Sequence, residues 1–265
     1  MGIEYNALKA ITRAKSRGAS LDQTATIGRQ GQHTKPTKLP FLNLKKVELA
    51  DLDKEIYSEK LLKLMGSKIV DSFDYSKYED ATFVHDMNES IDSIYKNKYS
   101  LVFDGGSLEH VFNFPVAIKN CMEMVQIGGY FISVTVCNNF SGHGFYQFSP
   151  ELFFRIFTHE NGFELEGVYL SENNKWHKVK DPAVIKGRVT FRNKNETYII
   201  IIAKKVAQAN IFSTTPQQSD YVECWKSDGK KISETKFLKI VRKLKKVYKR
   251  LFVTYDKHFF KKIKI

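Results

Sequence analysis

Strand-sized apolar runs alternate along this chain with stretches of helical period, and no other feature limits its possible folds as much. Residues 24–28 (TATIG), 68–73, 81–85, 100–104 and 130–136 read as strands, followed by two late ones over 163–170 and 197–206. Between them, Leu49, Leu52, Ile56, Leu61, Leu62 and Met65 recur at helical spacing before Gly66. Val116, Ile118, Cys121, Met122 and Val125 do the same before Gly128 and Gly129. Residues 3–17 predict a leading helix ending at Gly18, and Pro150 opens a helix ending near Gly162. The polar stretch 171–196 reads as an insertion. This alternation predicts an α/β, Rossmann-like fold: a mostly parallel, seven-stranded sheet with helices on both faces. Ligands of such sheets lie beyond the C-terminal strand ends, near the topological switch point. The residues just after each strand are therefore the ones that matter.

At 265 residues, 42% of them hydrophobic, the chain can build one good core. The expected organisation is a single domain over 1–210, a linker over 211–229 and a tail over 230–265. The net charge of +13 is concentrated in that tail, where 14 Lys and Arg face only Glu234 and Asp256. A body so nearly neutral argues against nucleic acid as the partner. No apolar run approaches the ~20 residues of a membrane-spanning helix, and the first residues lack a signal-peptide core, so the expected location is the cytoplasm. Cys121, Cys137 and Cys224 have neither metal-ligand nor redox-pair spacing, as suits a reducing compartment.

Each strand end then offers a candidate. Gly28, Arg29, Gln30 and Gly31 follow the first strand, where glycine would let the backbone approach a ligand or simply make a turn. Asp74 follows the second; a carboxylate there can accept from two ribose hydroxyls or cap a turn. Asp86 and Met87 follow the third, able to meet an adenine amino group and ring, or to form an Asx turn. The fourth ends in Asp104, Gly105, Gly106, Ser107, Leu108, Glu109 and His110, putting acids, glycines and a histidine in one loop. After the fifth, residues 138–148 are dense in aromatic and hydrogen-bonding groups, including His143 and Tyr146, a mixture that suits a pocket as well as a packed loop.

Taken together, KIVDSFDYSKYEDATFVHDMN (68–88), YSLVFDGGSLEHVFN (99–113), MEMVQIGGYFISVTV (122–136) and HGFYQFSPELFFRIF (143–157) resemble a class I S-adenosylmethionine-dependent methyltransferase over about residues 20–206. The resemblance implies S-adenosylmethionine as cofactor and transfer of its methyl group to a small-molecule or glycan-linked acceptor. It implies that Gly28 and Arg29 lie near the methionine part, Asp74 at the ribose, Asp86 and Met87 at the adenine, and Asp104 and Gly105 beside the donor methyl. Glu109, His110, His143 and Tyr146 would face the acceptor. The chain departs from the family's first motif, an acid followed by alternating glycines: it has Thr26-Ile27-Gly28-Arg29-Gln30-Gly31 instead.

Methyl transfer from a sulfonium depends on alignment; a hydroxyl acceptor must also lose a proton, for which His143 is the first candidate and His110 the second. No metal is expected. The broken first motif keeps open a catalytically inactive binding or scaffold module, whereas the lack of G-x-G-x-x-G argues against a nicotinamide enzyme. In the tail, Phe237, Ile240, Val241, Leu244, Val247, Tyr248, Leu251 and Phe252 predict one apolar helical stripe opposite a basic face. That helix could dock on the body, attach peripherally to an anionic membrane at its inner face, or meet RNA.

Overall fold

The computed structural model describes residues 2–35, 52–226 and 260–262. It opens with β1 (Gly2–Ile3), α1 (Tyr5–Lys15), β2 (Gln23–Ile27) and β3 (Gly31–Gln32). Then come α2 (Glu59–Leu64), β4 (Ile69–Asp74), β5 (Phe83–Val84), β6 (Tyr99–Asp104), α3 (Phe114–Met124) and β7 (Val125–Asn138). The remainder holds α4 (Pro150–Ile156), β8 (Phe163–Glu172), β9 (Lys175–Val179), α5 (Pro182–Ile185), β10 (Thr197–Lys205), α6 (Ser219–Lys226) and β11 (Phe260–Lys262).

Nine strands form the main sheet in the order β11-β9-β8-β10-β7-β6-β2-β4-β5, while β1 and β3 make a separate parallel pair. The block from β5 to β7 is parallel. β10 runs antiparallel to both β7 and β8. The expected Rossmann-like sheet is thus present as β5-β4-β2-β6-β7-β10-β8, and β9 and β11 lengthen it beyond seven strands. Chain order reverses across β2, which lies between β4 and β6, so the switch-point crevice opens between the ends of β2 and β6.

Side-chain alternation divides the core into two layers. On β10, Ile199, Ile201 and Ala203 join Phe131 of β7 and the apolar faces of α3 and α4. Ile200 and Ile202 join Leu101, Phe103 and Ile132 under α1 and α2. Helices therefore cover both faces, as the pattern requires.

Three local expectations change. Of the helix expected to end at Gly66, Leu52 is helical and Glu59–Leu64 form α2, with a break between them. Segment 55–58 is instead drawn into extended pairing: Gln32 N donates to Ile56 O at 2.7 Å, Ser58 N donates to Gln30 O at 3.0 Å, and Gly31 bridges Tyr57. The next helix stops at Met124, not at the glycine pair, because Asn97 N and Lys98 N take the carbonyls of Glu123 and Met124. Gly129 then lies inside β7, where a Cβ would come within 2.9 Å of Ser100 O. Finally, 171–196 is a built extension. Glu172 pairs Lys175 across Asn173 and Asn174, both at positive φ, the signature of a two-residue hairpin turn. The stripe from Phe237 to Phe252 lies outside the described residues; of the segment 230–265, Phe260–Lys262 forms a strand on β9.

Candidate active site

The loop after β2 is held from within. Gly28 adopts φ +74° and its N–H donates to Phe73 O at 2.6 Å. Arg29 N donates to Asp74 Oδ2 at 3.2 Å. Its guanidinium lies 3.9 Å from the Tyr57 ring centroid and pairs with Glu59 at 2.7 Å. Gln30 is 1% exposed. Its amide donates to Ile27 O at 2.6 Å, and its Oε1 has no hydrogen-bond partner among the described residues. A Cβ on Gly105 would stand 2.3 Å from that Oε1. The side chain of Gln30 therefore fills the space that a second glycine would leave open.

Asp74, Asp86 and Asp104 all stand at the C-terminal ends of parallel strands, and Asp104 and Phe73 flank Ile27 in register. Their surroundings differ. Asp74 is half-buried at the tip of β4, with one long further contact from Ser76 N at 3.4 Å. Asp86 accepts from the backbone and side chain of Asn88, at 2.9 and 2.7 Å. Met87 is buried in the core with Phe73 and Ile91. Asp104 is fully buried: Ser133 Oγ donates to it at 2.7 Å, Ser107 N at 2.8 Å and Leu108 N at 3.2 Å. Burial first, and Glu109 second, push its carboxyl well above the usual range, against those hydrogen bonds. Asp104 thus shapes the loop. Gly105 lends its carbonyl to Gly2 N at 3.1 Å.

Glu109, His110 and His143 converge at the ends of β6 and β7. The imidazoles of His110 and His143 meet with centroids 4.8 Å apart. His143 Nε2 lies 3.5 Å from Glu109 Oε1. Glu109 is 1% exposed, whereas the His143 side chain is 48% exposed. Thr135 Oγ1 donates to Glu109 Oε2 at 2.7 Å. The chain fixes this meeting: Phe145 N and Tyr146 N donate to Glu109 O at 2.8 and 3.2 Å, and Gly144 turns at φ +68° so closely that a Cβ would lie 2.8 Å from that carbonyl. Burial raises the Glu109 carboxyl and, with His143 beside it, lowers the His110 imidazole. Tyr146 does not join the cluster through its hydroxyl, which donates to Phe112 O at 2.7 Å. Phe112 and Phe145, both exposed, meet edge-on at 5.8 Å beside it.

Ser133 and Thr135 were not singled out from sequence. The signal existed: two hydroxyls at period two in the apolar run ISVTV, aimed at the two buried acids. A cleft of about 540 Å³, lined by Glu4, Asn6, Ser171, Lys194, Glu196 and Tyr198 among others, opens where the 171–196 extension meets the body. Tyr198 packs on Phe140 at 5.0 Å and Phe140 on His143 at 5.8 Å, which links the cleft to the cluster.

No family model matches the chain, and no curated protein sequence does. Among solved structures it is similar to the branched-chain polyamine synthase of Thermus thermophilus in complex with N4-aminopropylspermidine and 5'-methylthioadenosine, at 11% identity and a TM-score of 0.39. That match covers 79% of this chain and 60% of the other, so the chain spans only part of that enzyme's length. It is similar to a putative methyltransferase from Bacillus halodurans (11% identity, TM-score 0.38, 75% and 99% covered). It is also similar to the 1,6-didemethyltoxoflavin-N1-methyltransferase of Burkholderia thailandensis with bound 1,6-didemethyltoxoflavin and S-adenosylhomocysteine (10% identity, TM-score 0.41, 76% and 77% covered). The fold assignment itself rests on the order and direction of the strands.

Proposed function

We propose that this chain is an S-adenosylmethionine-dependent methyltransferase acting on a hydroxyl of a small-molecule or glycan-linked acceptor. One observation carries this reading: Asp74 and the Glu109–His110–His143 cluster stand on a single edge of a Rossmann-like sheet, on either side of its switch point. Two features of the edge suit the cofactor. Asp74 keeps carboxylate capacity for ribose hydroxyls, and the buried Gln30 Oε1 is an acceptor awaiting a donor, such as the ammonium of the methionine part. When bound, the cofactor supplies a methyl group on a sulfonium. The chain's own residues hold the acceptor and ease the loss of its proton. That task falls to His143 and His110 beside the buried Glu109 carboxylate. The enzyme works in the cytoplasm, where the basic segment brings it to anionic membrane surfaces.

The second reading, a binding module without activity, draws support from the Gln30 side chain and the clamped Arg29, which occupy the loop that glycines usually keep open. Calorimetric titration with S-adenosylmethionine, and with NAD as control, separates the two. The methyltransferase reading expects saturable binding of the first alone, weakened in Asp74→Ala. No heat with S-adenosylmethionine leaves the inactive module standing.

A further inference from the structure

We propose that Glu109, His110 and His143 form a binding site for a divalent transition-metal cation, which takes the oxygen of the acceptor at an open position. The second half of this statement rests on the methyltransferase reading; the first half does not.

The ligand atoms of these three side chains all lie within 4.8 Å of one another. Two imidazole nitrogens and one carboxylate oxygen are a donor set for Zn²⁺, Fe²⁺, Mn²⁺ or Co²⁺, and a poor one for Mg²⁺ or Ca²⁺, which prefer oxygen alone. Three protein ligands leave positions free for an exogenous oxygen. The surroundings are those of a supported site. Thr135 holds Oε2 of Glu109, leaving Oε1 toward His143. Gly106 leaves room at Oε1, since a Cβ there would stand 3.2 Å from it. Two backbone N–H groups grip the Glu109 carbonyl and so fix the loop that carries His143.

Charge points the same way. Asp104 and Glu109 are two buried acids, and their hydrogen-bond donors are the neutral Ser133, Thr135, Ser107 and Leu108. Buried carboxylates are costly unless a cation compensates them, and the side chain nearest Glu109 Oε1 is the His143 imidazole, half out in solvent. A dication at Oε1 would add compensating charge. On it, an acceptor hydroxyl would become more acidic and release its proton to water, so the histidines would serve as ligands.

The test uses the full chain after chelator treatment, titrated with Co²⁺ and Zn²⁺ by calorimetry, with the visible d–d absorption of Co²⁺ as a second readout. The expected result is one saturable Co²⁺ site per chain. His143→Ala and His110→Ala, which alter exposed rings, should each weaken it at least about tenfold, and Thr135→Ala by about tenfold through loss of ligand orientation. Circular dichroism confirms that each variant folds; should Glu109→Gln fail to fold, the two histidine variants still decide. Absence of Co²⁺ binding by the unaltered chain, or equal affinity in both histidine variants, overturns the proposal. S-adenosylmethionine binding is measured alongside. Metal bound without cofactor keeps the site and removes the methyltransferase reading; cofactor bound without metal does the reverse.

Discussion

Lys205 and Glu109 are each 1% exposed, and they lie at opposite strand ends of the same sheet. The Lys205 ammonium donates to Asn97 Oδ1 at 2.8 Å, Met122 O at 3.1 Å and Val125 O at 2.8 Å, using its three donors. It staples the end of α3 to the start of β7, and no demand is left unmet. Glu109 has one side-chain hydrogen bond, from Thr135, and turns its other oxygen toward an exposed histidine. The comparison separates two uses of a buried charge. A saturated one fixes architecture; an incompletely matched one, held rigid by its backbone, keeps affinity in reserve for a ligand.

The largest effect that would break this contrast is catalytic. His143→Ala is expected to lower methyl-transfer turnover by about 10²–10⁴-fold with the melting temperature nearly unchanged; full turnover in both His143→Ala and His110→Ala would mean that Glu109 holds nothing in reserve.

Lys205 sharpens the other side. Burial depresses its ammonium from 10.5 to about 8, against a small opposing pull from Glu123. Below pH 8 it is charged in folded and unfolded chains alike. Between pH 8 and 10.5 the unfolded chain binds more protons, so unfolding free energy should climb with pH, by ~3 kcal/mol in all. Denaturant titrations across that window should lose the climb in Lys205→Met.

Gly105→Ala sets a Cβ against Gln30 Oε1 and the Phe103 ring and should cost about 1–3 kcal/mol. Gln30→Ala in the same chain should recover the part due to Gln30; strictly additive losses would show that the loop is not filled as described. The smallest effect is Asp74→Ala, expected to weaken S-adenosylmethionine by about tenfold, or ~1.4 kcal/mol, seen by calorimetry.

Much of this was legible in the sequence because strand and helix periods survive wherever a face is buried. The seven strands and the leading helix follow directly from apolar spacing, and Pro150 marks the start of its helix, which stops at Ile156, short of Gly162. What escaped was set by contacts distant in sequence. The stretch before α2 has helical spacing, yet Gln30 and Gln32 claim its backbone. The glycine pair at 128–129 looks like a helix stop, but its role is the close approach of β7 to β6. At the candidate site, residue type and strand order marked Glu109, His110 and His143. Spacing alone could not show that a turn at Gly144 brings His143 back over Glu109. Nor could it show that Met87 faces inward, since its loop carries no period.

The first described strand has a practical corollary. Gly2 N is bonded to Gly105 O, and His33 N to Ile3 O, so β1 is zipped along the loops that end β2 and β6. Anything joined ahead of Gly2 must leave from the doorway of the candidate site. An affinity handle placed there would crowd the entrance that a titration is meant to probe, and a cleavable leader would need removal before any ligand measurement.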